Sequence, residues 1–147
     1  MLDEEDMRIL EELRHDAGRP VRAIASELGM RRSTVQYRIE RMKQQGIIKR
    51  IVAVPNYSVI GLGVTAIVLV TYMPQKMKSQ EEVAAEIAAI QGVSEVHIVA
   101  GSWDIILKVR GNSLEEIGNL VLNRLRKIQG VGQTVTCGCF FTLKEEP

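Results

Sequence analysis

The stretch LGMRRSTVQYRIERM, Leu28 to Met42, carries the clearest helical pattern in the chain's first third. At about 100° per residue, Val35, Ile39 and Met42 fall on one stripe, the side a helix turns to its core. Ser33, Tyr37, Glu40, Arg41 and Gln44 fall opposite, with Thr34 and Gln36 flanking them. A solvated face is ordinarily a mixture of Glu and Lys. Here an outward tyrosine sits among Ser, Gln and Arg, which hydrogen-bond base edges and phosphates, while Tyr can reach a phosphate or pack on a thymine methyl. The spacing predicts a helix over residues 32–45, ended by Gly46. The competing reading is a solvated or protein-docking helix.

The neighbours extend the pattern. A first helix is predicted over residues 4–16, capped by Asp3, with Leu2 stapled on Met7 and with Met7, Ile9, Leu10 and Leu13 as its buried stripe. Gly18 and Pro20 break the chain. A second helix follows over residues 21–28, with Val21, Ile24, Ala25 and Leu28 inward and Gly29 as its left-handed stop. Three short helices with a tight glycine turn between the last two form a helix-turn-helix pattern.

Charge is distributed to match. The chain of 147 residues carries a net charge of only +1. Residues 1–16 hold seven acids and two bases, a net −5, whereas residues 19–50 hold nine bases and two acids, a net +7. A basic surface beside an acidic helix is a directed field that can steer a polyanion, and its alternative is mutual neutralisation of the two halves. The candidate DNA-contacting set is Arg31, Arg32, Ser33, Thr34, Gln36, Tyr37, Arg38 and Arg41, followed by Lys49 and Arg50.

Residues 47–54 are β-branched and predict a strand, ended by Pro55 and Asn56; Gly61 and Gly63 mark a joint. The expected divisions are residues 1–50, a linking strand and hinge over 51–63, and a second domain over 64–147. That second half repeats itself. Ile-Gln-Gly-Val occurs at Ile90–Val93 and again at Ile128–Val131, each time between an amphipathic helix and a strand. Helices are expected over residues 80–90 and 114–128, with Ser79/Glu82 and Ser113/Glu116 as capping boxes. Strands are expected over 64–73, 93–100, 104–110 and 133–143. The order βαββαβ is a ferredoxin-like layout with both helices on one side of one sheet, so the whole chain is α+β. The strand over 64–73 is apolar on both of its alternating faces, which predicts cover for the bare side of the sheet, most economically by a second copy of the chain.

Other features exclude function classes. The chain is 46% hydrophobic and 25% charged. No apolar run approaches the roughly 18 residues of a membrane span. The acidic start is unlike a secretory signal, so a reducing cytoplasm is expected. Cys137 and Cys139 are too few ligands for zinc and read as small apolar residues. No metal or cofactor is expected.

Three segments in this order resemble the Lrp/AsnC, or feast/famine, family of transcription regulators over essentially the full length: LDEEDMRILEEL with VRAIASELGM; RIERMKQQGIIKRIVAVPNYSVIGLG; and IQGVSEVHIVAGSWDIILKV. The resemblance implies a helix-turn-helix domain joined by a linking strand to a ferredoxin-like effector domain. It implies dimers that assemble further, commonly to octamers, and effectors that are amino acids or related metabolites bound between effector domains. Gly101 and Asp104 match the family's Gly-x-x-Asp turn, with Ser102 and Trp103 inside it; Thr134 and Thr136 match positions near the same pocket. An amino acid's ammonium suits a carboxylate such as Asp104, and its carboxylate suits backbone N–H groups. The plain alternative is that Gly101 and Asp104 only build a turn. Trp103 would either narrow the pocket or pack between dimers. The chain departs from its relatives at Arg31, where they usually carry a capping Ser. Two other functions fit the same scaffold: a siroheme-decarboxylase-like enzyme, against which stand only two histidines, His15 and His97, and an architectural protein that coats DNA without an effector.

Overall fold

The computed structural model describes residues 1–74 and 77–146 and divides the chain into two compact units, Met1–Ala53 and the rest from Val54. The first unit holds α1 (Glu4–Asp16), α2 (Val21–Leu28) and α3 (Arg32–Gln44). Asp3 accepts the Asp6 N–H at 2.8 Å and Asp6 returns a bond to the Asp3 N–H, a complete capping box. Gly29 ends α2 in the left-handed region at φ 67° and donates to the carbonyls of Ala25 and Ser26. Ile9, Ile24, Ala25, Val35, Ile39 and Met42 form the core, with Leu2, Leu10 and Leu13 packed on it.

Met7 departs from its expected place in that core: it is 53% exposed, and the fully buried neighbour on α1 is Asp6. The cause is chemical. Asp6 turns inward because α3 presents guanidinium groups to it, and a paired carboxylate is stable where an unpaired one would not be.

The second unit is one antiparallel sheet in the order β2-β3-β1-β4, from β1 (Val64–Tyr72), β2 (Val93–Ile98), β3 (Ile105–Gly111) and β4 (Val131–Gly138). Helices α4 (Gln80–Ala88) and α5 (Leu114–Asn123) lie on one face, over Ala66, Val68, Val70, Ile105, Leu107 and Val109. The Ser79/Glu82 capping box is complete. At α5 only half forms: Ser113 accepts the Glu116 N–H, but the Glu116 carboxylate takes the N–H of Asn112 instead. The end of the expected second helix is a separate 3-10 turn, Leu125–Lys127.

The repeated Ile-Gln-Gly-Val has one geometry in both copies. Gly92 and Gly130 take φ 97° and 99°, and the following valines donate back to Ile90 and Ile128, each at 3.1 Å. Each glycine carbonyl then accepts an N–H from a neighbouring strand segment, Arg110 and Met73 respectively, at 2.8 Å. A side chain at Gly130 would meet Val83 at 2.6 Å, so glycine is required there for space as well as for φ.

Two expected strands differ. Residues 47–54 carry no strand, because a strand needs a ladder and no described segment of this chain pairs with them. The last strand ends at Gly138 rather than continuing to residue 143. The following segment runs beside the open face, where Cys139 and Phe141–Glu145 share a cavity of about 470 Å³ with Thr65, Ile67, Glu95 and Lys108. The sheet's bare side is therefore partly flanked by the chain's own end. Phe140, Phe141 and Leu143 nevertheless remain almost fully exposed.

Candidate nucleic-acid interface and effector turn

Acidic side chains belong in the first turn of a helix, where they complement the positive end of the helix dipole. Three helices obey: α1 with Glu4, Glu5 and Asp6, α4 with Glu81 and Glu82, α5 with Glu115 and Glu116. The two helices of the helix-turn-helix do not. Neither α2 nor α3 has an acid in its first turn, and neither has a side-chain cap. Pro20 and Arg31 stand at their N-cap positions, Arg22 and Arg32 just inside. Pro20, Val21, Arg22, Arg32 and Gln36 line one concavity of about 320 Å³. Two uncapped helix starts and two arginines thus meet at one surface, an arrangement that suits a phosphate backbone.

The rest of the predicted set divides into two groups. Arg31, Arg32, Ser33, Gln36, Lys49 and Arg50 are exposed, Thr34 is half-buried, and Tyr37 stands 66% exposed on the outer side of α3. Arg31 caps nothing, and neither Ser33 nor Thr34 starts the helix later. Arg38 and Arg41 point the other way. Arg38 bonds Asp3 at 2.6 Å and Asp6 at 2.9 Å and also pairs with Glu5; Arg41 pairs with the second oxygen of Asp6. The acidic start of α1 therefore neutralises the inner side of α3 and leaves its outer side basic. The hydrogen bond to Asp3 is the main cause that raises the Arg38 pKa, and the same bond holds the Asp3 carboxyl below the usual carboxylate range.

Arg22 and Asp6 stand outside the set expected from the sequence, and the structure places them at the start of α2 and against the inner side of α3. For Arg22 a signal existed: a base in the first turn of α2 opposes the dipole. For Asp6 the signal was the surplus of acids at the start of α1, read only as net charge.

At the other unit, Gly101 to Asp104 connects β2 to β3. Gly101 takes φ 129° with open space where a side chain would stand. The Asp104 carboxylate accepts the Tyr72 N–H at 2.7 Å, its own N–H donates to Val70 at 3.0 Å, and its carbonyl accepts from Val99 and from the Gln80 amide. Asp104 thereby closes the end of β1 against β3. Trp103 is half-buried and Ser102 exposed. Thr134, opposite Val70, and Thr136, opposite Val68, lie on the other side of β1 from β3; Thr134 accepts a bond from Arg126 at 2.9 Å. Gly101–Asp104 and Thr134 thus flank the same end of β1, with that strand between them. No group of three or more potential metal ligands occurs among the described residues, and no described helix is long and apolar enough to cross a membrane.

A helix-turn-helix with a basic outer face, carried with a ferredoxin-like domain, defines a DNA-binding transcriptional regulator. The AsnC-type helix-turn-helix domain matches residues 2–43 and the Lrp/AsnC ligand binding domain matches residues 65–147. The chain belongs to the Lrp/AsnC family. It is 51% identical to an HTH-type transcriptional regulator of Pyrococcus furiosus, over 99% of this chain and 97% of the relative. Its fold is that of an AsnC family transcriptional regulator from Agrobacterium tumefaciens, with TM-score 0.91 at 20% identity over 99% of this chain and 94% of the other. A transcriptional regulator of Neisseria meningitidis in complex with L-Met gives the same score, identity and coverage. The decarboxylase and DNA-coating alternatives draw no support from these likenesses.

Proposed function

We propose that this regulator reads DNA through the starts of α2 and α3, with Arg22 and Arg32 on phosphates and Ser33, Gln36 and Tyr37 toward base edges. The carrying observation is the missing acids. Replacing favourable first-turn carboxylates by arginines costs each helix roughly 0.3–1 kcal/mol, a cost offset once a polyanion binds. Arg31, Lys49 and Arg50 extend the same exposed basic surface, with Thr34 beside the helix start; Arg38 and Arg41 serve the fold instead. A test follows directly. Arg22→Glu and Arg32→Glu should each abolish DNA binding in a gel-shift assay while leaving thermal stability equal or slightly higher. Retained binding would remove the helix starts from the interface.

The working form we propose is a homodimer or a higher assembly such as a tetramer or octamer. The helix-free face of the sheet, with Ile67, Leu69, Ile106 and Val135, supports it: the end segment beside that face leaves its own apolar side chains in water. Two copies would bring two helix-turn-helix units to two half-sites. The effector we propose is an amino acid or related metabolite held at the Gly101–Asp104 turn, with Ser102, Trp103, Thr134 and Thr136 around it. The glycine turn offers backbone donors and Asp104 a carboxylate, and a structural relative bound to L-Met supports that class. A thermal-shift screen of the amino acids tests this. We read the chain as a cytoplasmic protein without a catalytic step; its histidines pair on the surface, His15 with Glu11 and His97 with Glu95.

A further inference from the structure

Helix α5 carries a glycine that the chain itself does not require. Gly118 stands in the middle of Leu114–Asn123, where glycine is the least favourable residue apart from proline. Its backbone is not left-handed. A side chain built on it meets no atom within 4 Å. Neither conformation nor space within the chain calls for glycine, and most other residues would hold the helix better.

Leu114 and Leu122 stand four residues to either side and share one face with it. The core takes Ile117 and Val121 from this helix, whereas Leu114 is 59% and Leu122 54% exposed. Two leucines in water with a gap between them make a notched ridge. Such a notch admits a second helix closer than the usual separation of about 8–10 Å. The charges name the partner. The helix begins with Glu115 and Glu116, and the turn after it carries Arg126 and Lys127. Glu115 and Lys127 have no ion-pair partner among the described residues. Arg126 is held beside β4 by the bond from its Nε to Thr134 at 2.9 Å. A surface acidic at one end and basic at the other complements itself when reversed. Laid antiparallel about Gly118, two copies of α5 set each Leu114 against the other's Leu122 and each acidic start toward the other's basic turn.

We infer that the outer face of α5 is a contact between copies of this chain, in which two α5 helices cross antiparallel at Gly118. It is a surface separate from the helix-free sheet face. Two different two-fold contacts on one chain carry assembly past the dimer, to closed tetramers and larger rings. That step rests on the proposed dimer through the sheet. Two helices of 10 residues bury too little area for a stable interface alone, so the contact acts between preformed dimers and at high concentration.

The test is sedimentation velocity on the full chain from low to high micromolar concentration. Wild type should pass from dimer to tetramer or larger. Gly118→Leu should melt at the same or a higher temperature, since leucine is the better helix former. It should nevertheless need about tenfold or more protein to pass the dimer, because the notch is filled. Glu115→Arg and Arg126→Glu should each weaken the same step, and the double variant, which reverses both ends, should restore it. A wild type that stops at the dimer overturns the inference and leaves the sheet contact in place. So does a Gly118→Leu protein that assembles like wild type, or a double variant no better than its singles. Should Gly118→Leu fold poorly, the charge reversal decides. A wild type that stays monomeric throughout removes the sheet contact and this one together.

Discussion

The carboxylate of Asp6, fully buried on α1, accepts a hydrogen bond from Arg38 of α3 at 2.9 Å. Arg41 takes its other oxygen, so one carboxylate holds two arginines of the recognition helix. Removing one partner of a buried pair leaves the other charged and unsolvated, at about 3–5 kcal/mol. Asp6→Ala should therefore lower the unfolding free energy obtained from urea denaturation by an amount in that range, and Asp6→Asn by less. A change under about 0.5 kcal/mol, the level of an ordinary surface substitution, would mean the cluster is idle.

One exposed member of the cluster gives a pH signature. Asp3 is held below its ordinary value chiefly by its hydrogen bond with Arg38. A depressed carboxylate binds fewer protons folded than unfolded, so its contribution is complete above the unfolded value near 3.8 and fades as pH falls below it. Acid titration of Asp3→Asn should show a shallower loss of stability in that acid range than wild type, with matching slopes from pH 6 to 8. Parallel acid limbs would separate Asp3 from Arg38.

The outward and inward sides of α3 should respond differently. Tyr37→Ala should weaken preferred sites more than random DNA; equal losses would argue against base reading. Arg32→Ala should flatten the salt dependence by about one unit, the share of one phosphate. Arg41→Ala, by contrast, should destabilise the first unit and leave the salt slope of the folded protein intact, because its guanidinium is spent on Asp6.

Asp104 separates the effector role from a turn role. Its bond to the Tyr72 N–H needs an oxygen, whereas an ammonium needs a charge. Asp104→Ala should cost about 1–3 kcal/mol for the unpaired backbone donor. Asp104→Asn should keep most of that stability and still lose the thermal shift given by an amino acid. A response retained in Asp104→Asn would leave Asp104 only as a structural link.

Helix starts, the glycine stops, the paired Ile-Gln-Gly-Val turns and the core stripe of α3 were legible because each depends on local chemistry within a few residues. The inward pairing of Arg38 and Arg41 is not legible, for the opposite reason. Their partners lie more than thirty positions away on α1, and helical periodicity places a side chain on a face without saying what waits there. Met7 and Asp6 exchange roles through the same contact. The strand expected over 47–54 carries suitable residues but lacks a ladder, which composition cannot supply.

The helix-free sheet face makes the most direct test of the whole account. Sedimentation velocity on the full chain at micromolar concentration should show a dimer or larger species. Leu69→Glu, in the middle of that face, should shift it toward monomer and weaken paired-site DNA binding while single-site binding persists. A wild-type chain that is folded and monomeric at that concentration would contradict the account.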